Sequence, residues 1–313
     1  LRSASGVAAQ VAALDAFKGR ACFFALKGVG PSMAHGIGLG LRQPMAKATL
    51  EEAPAELKWL EIHPENYMQR GGRYETLLAD ARLRFPLVTH GLSMGFGTLT
   101  PFEPEYLRNL RAMLHDLKAE WHSDHLCFGG IDGVYAHDLL PLPLNQESIQ
   151  VAVDRIHEAQ DALGVAIAVE HISFYVTPPG SVMDEADHLN EILERADAKL
   201  LLDVNNVFVN AENRGFDARA FIDRMPMARV AQLHIAGHYI RPDGFRIDTH
   251  AEPVCEGTFA LFEYTMRKLA RPIGVLLERD DNFPAFDELV QEVKRLDDIY
   301  GRVLGEATAS EVL

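Results

Sequence analysis

The sequence predicts an α/β fold, a (β/α)8 TIM barrel, and three observations carry that expectation. Short apolar strand-like runs alternate with amphipathic helical stretches from His35 onward, which is the rhythm of repeated βα units around a parallel sheet. Eight such strands can be counted. The chain, at 313 residues, also exceeds the roughly 250 that a single barrel of this kind needs.

The expected strands fall at about 36–41, 58–62, 86–90, 119–125, 165–170, 199–204, 229–235 and 273–278. The first, Gly36-Ile37-Gly38-Leu39-Gly40, resembles a phosphate loop only superficially, because it lies within a strand and no helix follows directly; its glycines are expected to let the strand pack tightly. Ionisable residues mark where most of the others stop: His63 and Glu65, flanking Pro64, then His90, then Asp124 and His125. Glu170 and His171 follow the fifth, Asp203 the sixth, His234 with His238 beyond the seventh, and Glu278 the eighth. Between strands, Pro104-Glu105 opens a helix whose Leu107, Leu110, Met113, Leu114 and Leu117 make one apolar stripe. Asn145 suits the N-cap of a helix carrying Ile149, Val153, Ile156 and Ala159, with Gly164 at its end. Asp184 and Pro284 mark two later helix beginnings. His115, His157 and His188 lie on helical stretches and are expected at the surface.

These elements suggest one metal-binding domain over 35–303, an N-terminal extension over 1–34 outside the fold, and a C-terminal tail over 304–313. A net charge of −15 opposes nucleic-acid binding, which draws on cationic surfaces. Three widely spaced cysteines argue against a disulfide framework and for the reducing cytoplasm, with Cys127 and Cys255 as buried structural thiols. No apolar stretch approaches the roughly 20 residues of a membrane span, so no membrane association is expected.

A parallel barrel brings the C-terminal ends of all its strands to one face. That face should gather His90, Asp124, His125, Glu170, Asp203, Asn206, His234 and Glu278, joined by His238 and Asp248-Thr249-His250 from the loop after the seventh strand. So many ionisable groups are costly to desolvate unless they are paired or bind metal. Imidazole and carboxylate donors without cysteine suit iron, manganese or zinc, and their number exceeds the need of a single ion. Some should stand behind the ligands and orient them. His63 and Glu65 are expected in that role, with His171 and His238 as further candidates; Asp203 could instead cap a turn, and Asp248 could form an Asx turn.

The motifs Gly36 to Arg42, Glu61-Ile62-His63-Pro64-Glu65-Asn66-Tyr67, His90-Gly91-Leu92-Ser93, Ser123-Asp124-His125-Leu126, Leu202-Asp203-Val204-Asn205-Asn206-Val207, Gln232-Leu233-His234-Ile235-Ala236-Gly237-His238 and Asp248-Thr249-His250 resemble, in the same order, the multinuclear non-haem iron-dependent oxidative enzymes. The best-known relative in that family acts in methanobactin biosynthesis. The resemblance implies a xylose isomerase-like barrel holding two or three Fe(2+)/Fe(3+) ions with O2 as co-substrate. It implies His90, His125 or Asp124, Glu170, Asp203, Asn206, His234, Asp248, His250 and Glu278 as iron ligands, with His90, Glu170, His234 and Asp248 closest to catalysis. It further implies oxidative remodelling of residues, commonly cysteine, in a ribosomally synthesised precursor peptide, and a separate leader-peptide-binding partner protein. One iron would hold the substrate thiolate and another take dioxygen, so that hydrogen leaves the carbon beside sulfur. His171 departs from the asparagine often found after the glutamate of the fifth strand. Asn66, Tyr67, Arg279 and Asp280 are candidates to position the peptide. Two other functions use the same mouth: a divalent-metal sugar isomerase or metal-dependent hydrolase of xylose isomerase-like fold, and a metal-storing barrel without turnover.

Overall fold

In the computed structural model the described residues are 34–131 and 134–311, so the expected N-terminal extension lies outside them except for its last residue. Eight parallel strands form one sheet: β1 (Gly36–Gly40), β2 (Leu57–Ile62), β3 (Leu87–Thr89), β4 (Trp121–His125), β7 (Ala166–Glu170), β8 (Lys199–Asp203), β9 (Val230–Ala236) and β12 (Gly274–Glu278). Each lies within two residues of its expected place. The strand order is β3-β2-β1-β12-β9-β8-β7-β4, and the ends meet through one parallel bridge between His90 and Ser123. The Gly91 amide donates to the Ser123 carbonyl at 2.7 Å beside it. The sheet thereby closes into the expected barrel.

The helices begin and end where local chemistry directs. Asn145 accepts from the Ser148 amide at 3.0 Å to start Gln146–Leu163, and Gly164 ends that helix with φ +74°. Asp184 likewise accepts from the Asp187 amide at 3.0 Å at the head of Glu185–Arg195. Leu110 and Leu114 of Pro104–Leu117 are buried, as their spacing requires. The last helix, Phe286–Glu311, starts just beyond Pro284 and continues through most of the expected C-terminal tail. Two small hairpins escaped sequence reading: β5 (Phe128–Ile131) with β6 (Val134–Leu140), and β10 (Tyr239–Ile240) with β11 (Arg246–Ile247).

Alternation along the strands separates two environments. Ile37, Leu39, Leu60, Ile62, Ile167, Val169, Leu200, Leu202, Leu233 and Ile235 belong to the main apolar core, which also takes in the inner sides of the helices. The opposite face carries Trp59 and Glu61, Trp121 and His125, Ala168 and Glu170, Leu201 and Asp203, Gln232 and His234. Trp121, Ala168 and Leu201 form a small apolar cluster of their own there. Along each of these strands the interior changes from apolar to ionisable toward the C-terminal end.

The glycines of β1 serve this interior. A Cβ on Gly38 would lie 2.3 Å from the Trp59 ring, and one on Gly40 would lie 2.8 Å from the Arg42 guanidinium carbon. Trp59 is further fixed by its indole N–H donating to the Gly36 carbonyl at 3.0 Å. Replacing Gly38 by Ala therefore forces either the indole or the strand to move. Urea denaturation should show Gly38→Ala destabilised by about 1–3 kcal/mol, and an unchanged midpoint would contradict the packing account.

Candidate metal centre

The donors come from the ends of strands that are distant in sequence. His90 Nε2 lies 3.1 Å from Glu170 Oε2 and 3.3 Å from His125 Nε2, while His125 Nε2 lies 3.4 Å from the same carboxylate oxygen. On the other side, His234 Nδ1 is 3.7 Å from Glu170 Oε1 and 3.0 Å from Glu278 Oε2. His250 extends the group outward, its Nδ1 3.4 Å from Glu278 Oε2 and its Nε2 2.9 Å from Asp248 Oδ1. Its backbone, at φ +50°, occupies the left-handed region.

Five overlapping sets of three side chains place their donor atoms within 4.8 Å of one another. Three of these sets, His90 with His125 and Glu170, Glu170 with Asp203 and His234, and Asp203 with His250 and Glu278, form a chain linked by shared carboxylates. Among the described residues, buried atoms in and beside it lack a hydrogen-bond partner: His125 Nδ1, Glu170 Oε2, Asp203 Oδ2, Asn206 Oδ1, His234 Nδ1 and His250 Nε2. Burial and neighbouring carboxylates push Glu170 and Asp203 above the usual carboxylate range. Nitrogen and oxygen atoms left in this state, with excess negative charge, fit one or more transition-metal cations.

Other predicted residues stand around this group. Asp124 and His125 point to different tasks: Asp124 accepts backbone N–H groups of Ser93, Met94, Gly95 and His125 at 3.2, 3.0, 3.5 and 2.7 Å, which builds the loop over the mouth. Glu65 supports the same loop by accepting from the Leu92 amide and the Tyr106 hydroxyl at 3.0 and 2.9 Å. Asp203 Oδ1 caps the helix Val204–Arg214 through the Asn206 amide at 2.7 Å, leaving Oδ2 for the centre. Asp248 accepts from Ser173 Oγ and Asn205 Nδ2 at 3.1 and 2.7 Å, and Asn205 Oδ1 is 2.8 Å from His238 Nδ1, so His238 acts on the site through Asn205. His63 Nδ1 donates to the His90 carbonyl at 3.0 Å. The Asn206 amide holds the His171 carbonyl at 3.1 Å, and the His171 ring packs toward Phe221 away from the donors.

Three expectations need correction. Tyr67 is buried with its hydroxyl directed at the Leu41 carbonyl, and Arg279 is buried with its guanidinium on Ala251 and Glu292, so neither can hold a peptide; both secure loops. Asn66 is exposed at the end of a 3-10 turn, Pro64–Asn66. His188 is not a surface residue: it is buried, with Nε2 2.8 Å from Ser148 Oγ, whereas His115 and His157 are exposed. Cys127 is buried as expected and Cys255 partly so.

Two contributors were missed. Arg42, just beyond β1, holds Asp280 through Nε at 2.6 Å and Glu278 through NH2 at 3.2 Å, and Asp280 in turn lies 3.0 Å from His250 Nδ1. Glu61, fully buried, lies 3.1 Å from His234 Nε2. Its signal in the sequence is a charge two residues from Trp59 on the inward face of β2, the face opposite Lys58. A cavity of about 890 Å3 opens on the donors, lined by His63, His90, His125, His250, Glu278 and Asp280 among others. A second, of about 300 Å3, reaches Glu170 and Asn206 from the far side of Asp138 and Leu139.

A parallel barrel with clusters of His, Asp and Glu side chains at its C-terminal mouth that could hold metal defines the class to which this chain belongs. The chain belongs, within that class, to the family of RiPP precursor modification enzymes MbnB/TglH/ChrH, whose pattern matches residues 36–300. It is 41% identical over 258 residues to a UPF0276 protein of Rhizorhabdus wittichii, covering 82% of this chain and 92% of that one. A UPF0276 protein of Anaeromyxobacter sp. (strain Fw109-5) is 38% identical over 272 residues, covering 87% and 94%. Among solved structures the fold is similar to an L-ribulose 3-epimerase, with TM-score 0.54, 13% identity and coverage of 89% and 97%. It is also similar to the IOLI protein with a bound zinc atom, with TM-score 0.53, 13% identity and coverage of 87% and 99%. These likenesses establish the xylose isomerase-like barrel expected from sequence. No helix among the described residues is long and apolar enough to cross a membrane.

Burial holds His188 down to about 4, against an ordinary histidine near 6.5. The unfolded chain therefore binds a proton at this ring that the folded chain refuses, so stability falls as pH drops from about 6.5 to about 4 and is unaffected by this group above that window. His188→Gln should reduce the loss between pH 7 and pH 4.5 by about 1–3 kcal/mol in urea titrations, and an unaltered pH slope would refute the assignment.

Proposed function

We propose that this protein is a multinuclear non-haem iron oxidase that uses dioxygen to modify cysteine residues of a ribosomally synthesised precursor peptide in the cytoplasm. The observation that carries this reading is the sharing of donors. Glu170 and Asp203 are each shared between two of the three linked donor sets, which suits two or three ions a few ångströms apart rather than one. Membership of a family of precursor modification enzymes supplies the substrate class.

One ion would be held by His90, His125 and Glu170, a second by Glu170, Asp203, His234 and Glu278, and a third by Asp203, Asn206, Asp248 and His250. Bound iron supplies thiolate activation and the reduction of dioxygen. The chain's own groups prepare the place. Arg42 fixes Glu278 and Asp280 on one wall, and Asp124 and Glu65 hold the 91–95 loop on the other. Leu92 and Leu139, both half exposed beside the larger cavity, offer apolar contact to a peptide, and about 890 Å3 is room for a short segment of one. A separate protein would bind the leader of that peptide.

The test is anaerobic purification with iron-57, elemental analysis and Mössbauer spectroscopy, followed by oxygen uptake with cysteine-containing peptides. Two to three coupled irons per chain, with peptide-dependent oxygen consumption, is the expected outcome. A single zinc or manganese ion indifferent to oxygen would overturn it in favour of a divalent-metal isomerase or hydrolase.

A further inference from the structure

We infer that the smaller of the two cavities at the mouth is a specificity pocket for an apolar side chain of the peptide, two residues from the reacting cysteine. This rests on the substrate class proposed above. The cavity, of about 300 Å3, lies between Leu139 and Leu140 of β6 on one side and Ile172, Phe174, Tyr175 and Val176, in the segment after β7, on the other. It also reaches His125, Glu170, Asn206, Asp248 and His250, so an occupant would lie against the donors.

Scattered apolar side chains are ordinary on a protein surface, but a cluster of them marks a contact site. Ten large hydrophobic side chains are more than a third exposed among the described residues, and four of these, Leu139, Leu140, Tyr175 and Val176, line this one cavity. The polar groups of the 172–176 wall are already engaged with the protein. Ser173 Oγ donates to Asp248 Oδ2 at 3.1 Å, and the Tyr175 hydroxyl accepts from the Asp248 amide at 2.9 Å. The Phe174 amide donates to Asn210 Oδ1 at 2.9 Å, and Asn210 Nδ2 donates to the Ile172 carbonyl at 3.1 Å. What remains to offer a ligand on this wall is hydrocarbon, held in place by those bonds. Apart from the donors, Asp138 is the one charged side chain among the described residues lining the cavity, and it would repel an acidic occupant.

Continuity with the larger cavity identifies the occupant as part of the same peptide. The two cavities share His125, Asp138, Leu139, Asp248 and His250. In an extended chain, side chains two residues apart point the same way and lie about 7 Å from one another. A peptide that brings its cysteine to the donors through the larger cavity thus has a second side chain directed at the same face, one step along.

The test uses the full chain loaded with zinc, which binds a thiolate without redox chemistry. Three acetylated, amidated pentapeptides carry cysteine at the centre, glycine on either side of it, and leucine, glycine or aspartate at both ends. Calorimetric titration should show the leucine peptide binding about 10–100-fold more tightly than the glycine peptide, with the aspartate peptide weakest. Methyl NMR should show the Leu140, Ile172 and Val176 signals shifted by the leucine peptide and not by the glycine one. Val176→Asp and Leu140→Asp, both at exposed side chains, should each reduce the preference for leucine by about three- to tenfold. Val182→Asp, at a side chain 79% exposed but outside the cavity, should leave it intact. Equal affinity for the leucine and glycine peptides, unmoved methyl signals, full preference in both cavity variants, or no binding of any peptide would overturn the pocket. Leucine-selective binding in a protein whose iron form consumes no oxygen would keep the pocket and sink the oxidase. Peptide-dependent oxygen consumption indifferent to the end residues would do the reverse.

Discussion

Electrostatic excess in a desolvated mouth is the constraint around which the structure is arranged. Glu170, Asp203 and Glu278 are buried within a few ångströms of one another, and Glu61 is buried beneath them. Their mutual repulsion and lost hydration must be offset by imidazoles, by Arg42 and by cations, or relieved by taking up protons. The rigid barrel keeps these groups from moving apart. Eight strand ends, each tied to its neighbours by backbone hydrogen bonds, hold the carboxylates where an isolated peptide would splay them.

The supporting layers follow from that demand. Arg42 meets two carboxylates because Gly40 leaves its guanidinium room, and Trp59 fills the interior below because Gly38 lets it in. Asp124 gathers backbone amides of the loop that walls the centre, and its Oδ1 also lies 3.6 Å from His125 Nδ1. His63, His238 and Asp280 each act through a neighbour: a carbonyl, an amide side chain and another ring. Few groups near the mouth are single-purpose, which is why so many of its polar residues are buried.

Much of this was legible in the sequence. Strand positions could be read because most runs are apolar and end at an abrupt ionisable residue, and Asn145, Gly164 and Asp184 announce their helices directly. That His90, Glu170, Asp203, His234 and Glu278 come together could be read because a parallel barrel sends all strand ends to one face, and His250 joins them from the loop after β9. What escaped depends on side-chain direction. Asp124 and His125 are adjacent in sequence, but alternation turns one to the loop and the other to the mouth. Tyr67 and Arg279 follow strands as a substrate-contacting residue would, and only packing reveals that they face inward. His188 reads as a polar residue on a helix, and its burial against Ser148 comes from the neighbouring helix. Glu61 is the reverse case, a charge within a strand whose partner lies 173 positions away.

The barrel's closure carries a further consequence. β3 and β4 are joined by one bridge, at His90 and Ser123, where the other neighbouring strands share several paired residues. His90 and His125 stand on opposite sides of that seam with their Nε2 atoms 3.3 Å apart. An ion gripped by both would act as a clasp, completing in coordination bonds what the sheet leaves unfinished in hydrogen bonds. Circular closure and occupancy would then be one cooperative event, and loss of the ion would first be felt as a loosening between these two strands.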